Sequence, residues 1–206
     1  MRSLKEFIDL HPHQPGTLTP SRRLMLAAFA TAATRVPGDF IEVGVFKGTT
    51  ANLLDGVLQS FHAKVEYSKK MLFLYDSFQG LQHVSDKDEG CPTYTKDLFK
   101  QNEVPPHLPG TLVQGNIFET IPKSLPKTVA FAHIDLDLYE PTYYALTHVY
   151  KNLIRGGYIV VDDFDHPAWP GVRKAVESFL KDTPGASMQE WVFNSFPEAC
   201  QCLITY

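Results

Sequence analysis

Cysteine is scarce: the 206 residues contain three, Cys91, Cys200 and Cys202. An odd number with no framework excludes a disulfide-built scaffold and leads us to expect a reducing, cytoplasmic compartment. Cys200 and Cys202 alternate along an expected strand, which is not metal-knuckle spacing, so all three read as structural. There is no uninterrupted apolar run of about 18 residues, so no membrane-spanning helix is expected. Basic charge is not in excess. Lys and Arg number 19 against 23 Asp and Glu, a net charge of −4, which gives no broad electrostatic reason to bind nucleic acid or an anionic membrane. The opening Met1-Arg2-Ser3-Leu4-Lys5-Glu6-Phe7 carries charge where a secretory signal needs an apolar core. No repeat, low-complexity tract or His/Cys zinc pattern occurs. The dinucleotide fingerprint Gly-x-Gly-x-x-Gly is also missing, which argues against a nicotinamide oxidoreductase.

What is present begins at Asp39-Phe40-Ile41-Glu42-Val43-Gly44-Val45-Phe46-Lys47-Gly48-Thr49-Thr50. A short apolar strand follows the turn signal Pro37-Gly38, two glycines break it, and helical spacing resumes over Ala51–Leu58. Such a strand, glycine loop and helix let a ligand approach backbone with no Cβ between, beside free N–H groups of a first helical turn. On spacing alone, the same residues also describe an ordinary strand-to-helix turn.

The rest of the chain alternates strand and helix. Strands are expected at about 69–75, 111–114, 129–134 and 158–161, with two more in the tail at about 189–193 and 200–205. Helices are expected over Arg22–Ala30 with a Ser or Thr cap, over Tyr143–Leu153 stopped by Gly156-Gly157, and over Val172–Leu180. Residues 1–20, rich in His and Pro, read as an arm or lid, and residues 21–206 as one domain. The polar stretch 82–97 reads as a second lid-like loop. The alternation predicts an α/β fold with a parallel sheet and helices on both faces. In such sheets ligands lie beyond the carboxyl ends of the strands. Those ends carry Gly44, Asp76, Asp135 and Asp162-Asp163.

Asp76 is placed to accept from a ribose diol or to cap the next turn. Asp135, Asp162 and Asp163 would repel one another near neutral pH, and a hard cation such as Mg²⁺ would remove that conflict. Asp137 precedes Leu138-Tyr139-Glu140-Pro141 and reads as a helix cap rather than a ligand. His133, inside a strand, reads as a packed core histidine. His166 falls on a loop. Lys47 is either solvated or a ligand contact.

Four stretches resemble the macrocin O-methyltransferase (TylF/MycF/NovP-like) family. They are Glu42–Gly48, Tyr75-Asp76-Ser77-Phe78-Gln79-Gly80-Leu81, His133-Ile134-Asp135-Leu136-Asp137-Leu138-Tyr139-Glu140-Pro141-Thr142 and Gly156-Gly157-Tyr158-Ile159-Val160-Val161-Asp162-Asp163-Phe164. Gly171-Val172-Arg173-Lys174-Ala175-Val176 adds a fifth. The resemblance implies a class I methyltransferase, Rossmann-like, with a mostly parallel seven-stranded sheet. It implies methyl transfer from S-adenosylmethionine to a hydroxyl of a sugar or glycosylated small molecule in natural product biosynthesis, with Mg²⁺ at the site and self-association of the chain. Carried over by position, Glu42, Gly44, Val45, Lys47, Thr49, Asp76, Ser77, Asn116 and Asp135 form the cofactor set. Asp135, Asp162 and Asp163 fall on the metal ligands, and Asp135 also on the base. The chain starts closer to its first helix than the antibiotic-tailoring members do. It carries Phe46 where many have Trp, so the acceptor pocket is expected to differ. A catechol-type methyltransferase acting on a phenol and a non-catalytic S-adenosylmethionine-binding module are the alternatives.

Overall fold

The computed structural model describes residues 18–61, 70–91, 103–193 and 196–206. Most of the expected N-terminal arm and the end of the 82–97 loop lie outside the described residues.

Five parallel strands form first: β1 (Asp39–Val43), β2 (Leu72–Asp76), β3 (Thr111–Gln114), β4 (Val129–Ile134) and β5 (Leu153–Val161). A tail of two antiparallel strands, β6 (Ser187–Phe193) and β7 (Phe196–Thr205), completes a seven-stranded sheet in the order β3-β2-β1-β4-β5-β7-β6. The order reverses between β1 and β4, which is where ligands sit in open α/β sheets. The fold is that of the class I O-methyltransferases.

The strands are apolar on both faces because both faces are covered. All six residues of β4 are buried. Phe40, Leu72, Leu74 and Val160 pack under α1 (Pro20–Ala33) and α2 (Thr49–Phe61). Ile41, Val43, Ala132, Ile134 and Val161 face the opposite layer. That layer is built from α3 (Ile117–Ser124), α4 (Tyr139–Asn152) and α5 (Pro170–Asp182). Among the described residues no helix is long and apolar enough to cross a membrane.

Three expectations need correction. Gly156-Gly157 does not stop α4, which ends at Asn152; β5 begins at Leu153 and runs through both glycines, where its register with β4 shifts. The helix α3, with Pro122 inside it, was not among the expected elements. Asp137 does not cap α4. Leu138 holds the cap position without a side-chain bond, and the Tyr139 amide donates instead to Asp88 Oδ1 at 2.8 Å. Asp88 is 51 residues away in sequence, so local spacing could not reveal it.

Candidate active site

The glycine turn is held from three sides. Gly44 N–H donates to Tyr75 O at 2.9 Å, while the Asp76 carboxylate accepts from Val45 N at 2.7 Å and Phe46 N at 2.9 Å. Its other oxygen accepts from Phe78 N at 2.7 Å. Asp76 thus clamps the turn after β1 to the turn after β2. Gly44 has φ +92°, and a Cβ there would lie 1.9 Å from the Asp135 carbonyl oxygen. Only glycine lets β1 and β4 approach this closely beyond their ends.

These turns wall a cavity of about 670 Å³. Its lining includes each expected cofactor residue: Glu42, Gly44, Val45, Lys47, Thr49, Asp76, Ser77, Asn116 and Asp135. Asp162 and Asp163 line it too, as does His166, while Lys47 Nζ rests 5.1 Å from the Phe46 ring centre. Phe46, Tyr75 and Phe78 add aromatic surface to the lining, whereas the Tyr139 hydroxyl donates to Ser178 Oγ. Asn116 caps α3 through Phe118 N, and its amide nitrogen lies 3.1 Å from His83 Nε2. The buried atoms Glu42 Oε2 and Thr49 Oγ1 make no hydrogen bond among the described residues. A buried polar atom without a partner is costly, and both lie on the wall of this cavity.

Acids gather at one side of it. Asp135, Asp137 and Asp163 offer oxygens within 4.8 Å of one another; a second set, His133, Asp135 and Asp162, is equally tight. Asp135 belongs to both, but among the described residues no such set holds Asp162 and Asp163 together. Those two are bridged by Arg22 Nη1, at 3.2 Å from Asp162 Oδ1 and 2.8 Å from Asp163 Oδ1. His133 is fully buried, with Nδ1 3.6 Å from Glu42 Oε1 and Nε2 3.9 Å from Asp162 Oδ2. It is a core histidine, as expected, but an ion-paired one.

The electrostatics divide the cluster. Burial alone would lower the His133 pKa, but Asp162 and Glu42 outweigh it and lift it to about 10, so the ring is cationic at neutral pH. Burial opposes ionisation of Asp162 as well, yet His133 and Arg22 hold its pKa below the usual carboxylate value. Asp135 goes the other way: burial and the charges of Asp162 and Asp163 push it well up. Asp137 follows, through burial and the charges of Asp135 and Asp163. Burial and Asp162 also raise Asp163, against the pull of Arg22. A raised carboxylate pKa suits a proton acceptor working near neutral pH.

Sequence reasoning missed Arg22 and misassigned Asp137. Arg22 did carry a signal: it shares the α1 stripe with Leu26 and Ala30, all three buried, and an arginine buried on an apolar stripe must find an anion.

A family model described as "Macrocin-O-methyltransferase (TylF)" matches residues 9–187. Demethyldecarbamoylnovobiocin O-methyltransferase of Streptomyces niveus is 28% identical over 144 residues, 63% of this chain and 53% of that protein. Mycinamicin III 3''-O-methyltransferase of Micromonospora griseorubida is 29% identical over 171 residues, 74% of this chain and 63% of that protein. The chain therefore spans less than two thirds of the length of these curated relatives. Among solved structures, the O-methyltransferase NovP superposes with a TM-score of 0.75 at 22% identity, covering 94% of this chain and 83% of its own. The calicheamicin methyltransferase CalS11 gives 0.72 at 21% identity, covering 98% and 91%. The family match takes in all five described α-helices and all five parallel strands, and hence the glycine turn and the acids it faces: the chain belongs to the macrocin O-methyltransferase (TylF) family.

Proposed function

We propose that this protein is an S-adenosylmethionine-dependent O-methyltransferase that acts on a hydroxyl of a sugar or glycosylated small molecule, with Mg²⁺ at its acidic cluster. One observation carries the reading: a single cavity is walled by the glycine turn, Asp76 and the acids ending β4 and β5. A further relative, 27% identical over 149 residues, is the 8-demethyl-8-(2,3-dimethoxy-alpha-L-rhamnosyl)-tetracenomycin-C 4'-O-methyltransferase of Streptomyces olivaceus, whose name carries a rhamnosyl group and supports the acceptor class.

The residues fit both groups. Glu42 Oε2 and Thr49 Oγ1 are buried acceptors in need of partners, and with Gly44, Asp76 and Asn116 they would hold the cofactor. Carboxylate oxygens are the donors a hard cation takes. Asp135, Asp137 and Asp163 present them together, with Asp162 behind Asp163. When bound, the cofactor supplies an already activated methyl, and Mg²⁺ acts as a Lewis acid that lowers a hydroxyl pKa. The chain's own task is alignment: the rigid turn fixes one reactant and the acid cluster the other, and positioning is worth up to roughly 7–11 kcal/mol. Asp135, on the cavity wall within the acid cluster, would take the hydroxyl proton. Asp137, beside it, is the second carboxylate of the same acidic set.

The test is a calorimetric titration with S-adenosylhomocysteine, with and without Mg²⁺, together with turnover on sugar and phenol acceptors. Asp163→Asn should keep S-adenosylhomocysteine binding while turnover falls on the order of 100-fold. Asp162→Ala should also abolish turnover, but it strands Arg22 and His133 and so reports stability as well. Activity that survives a chelator would reject the metal role; methylation of phenols alone would reassign the acceptor to the catechol type.

A further inference from the structure

Arg22 stands in the first turn of α1, capped by Thr19, and the buried residues Met25, Leu26, Ala27 and Ala30 fix that helix against the sheet. Its guanidinium reaches the cavity wall and lies 2.8 Å from Asp163 Oδ1. Asp163 is at the same time one corner of the set Asp135, Asp137 and Asp163. One carboxylate is thus asked to serve two cations.

We propose that Arg22 is a built-in competitor of the divalent cation: guanidinium and metal share Asp163, so the arginine sets the cation affinity of the site. The inference rests on the reading that the cluster takes a divalent cation. A guanidinium is a delocalised single charge that pairs with carboxylates through fixed N–H donors. A hard divalent ion needs the same oxygens and carries twice the charge. Placed within one carboxylate's width of each other, the two repel, and the repulsion is strong where water is largely excluded. Loading the ion would weaken the Arg22 contact with Asp163 and leave the one with Asp162 to hold α1 to the end of β5. A purely structural pin would behave differently: removing it would lower stability and leave the metal affinity unchanged or worse.

The test uses Mn²⁺ as the probe, titrated into the 206-residue chain and followed by electron paramagnetic resonance. Arg22→Met should bind Mn²⁺ about tenfold more tightly or better than the parent, because a neighbouring positive charge is removed. Arg22→Lys should fall between the two, and Asp163→Asn should bind more weakly than either. Equal or weaker binding by Arg22→Met, with Asp163→Asn impaired, overturns the competition and leaves the metal reading standing. No saturable Mn²⁺ binding by the parent and by Arg22→Met overturns both. A measurement on the unmodified chain covers the case of a variant that does not fold. Titration with Mg²⁺ should shift the Arg22 Nε–H resonance at saturation, and an unmoved resonance alongside bound ion refutes the proposal.

Discussion

Gly44→Ala is the sharpest test of how the fold makes the site. Two effects add. At φ +92° an L side chain is strained, at about 1–2 kcal/mol. The new Cβ would also sit 1.9 Å from the Asp135 carbonyl oxygen, whereas Cβ contacts essentially never fall below 3.0 Å, so the two turns must part by more than an ångström. That separation stretches the backbone hydrogen bond that crosses between the two turns, Asp135 N–H to Val43 O at 2.9 Å. It contributes about 1 kcal/mol. The total is roughly 2–3 kcal/mol, a sizeable share of the ~5–15 kcal/mol by which domains are stable. Gly90 provides the control. Its φ is +100°, but a Cβ there meets only Pro170 Cγ at 3.8 Å, so Gly90→Ala should lose only the strain, about 1–2 kcal/mol. Urea unfolding of both variants reads the difference, and calorimetry with S-adenosylhomocysteine should show impaired binding for Gly44→Ala alone. Equal unfolding midpoints for the two would refute the claim that Gly44 is needed for the approach of β1 to β4.

Asp76→Ala removes the acceptor shared by Val45, Phe46 and Phe78, and hydrogen bonds to a charged group are worth about 1.5–3 kcal/mol each before water replaces them. S-adenosylhomocysteine affinity should drop at least about tenfold; unchanged affinity would show that the clamp is idle. His133 makes stability depend on pH in a definite direction. Its pKa rises from 6.5 to about 10 on folding, so its ion pairs stabilise fully below pH 6.5, and the contribution is lost as pH climbs from there through about 10. Denaturation of the metal-free chain at several pH values should show that decline, and His133→Asn should flatten it; an identical profile in both would refute the ion-pair assignment.

How far the sequence reached follows from which interactions are local. The strand Val129–Ile134 is apolar throughout because both its faces are covered, so it could be read directly. The glycine turn was legible for a related reason: the positive φ at Gly44 constrains residue type at the position itself. The α4 cap was not, because Asp88 is brought in by tertiary structure from another segment. Pro122, the sixth residue of α3, cannot supply the N–H that Phe118 O would accept, and the Tyr144 hydroxyl, from another helix, donates to that carbonyl instead at 3.1 Å. Asp162 and Asp163 were foreseen as a pair that needs positive charge. The sequence pattern did not say that Arg22 supplies part of it, since α1 reads as an ordinary helix until its register against β5 is known.

That partial supply bears on where a cation belongs. Arg22 and His133 both face Asp162, and it alone among the clustered aspartates is held below the usual carboxylate pKa. Asp135, Asp137 and Asp163 are all pushed above it. Asp162 thus has two cations against it, Arg22 and His133, and Asp163 has Arg22. In the proposed reading, a divalent ion gains most where carboxylates are least compensated, which is among Asp135, Asp137 and Asp163. Asp162 then works through its neighbours, holding His133 charged and Arg22 within reach of Asp163. In that reading the acids expected from the sequence would divide their work differently: Asp137 would join the ligand set, and Asp162 would anchor its counter-charges.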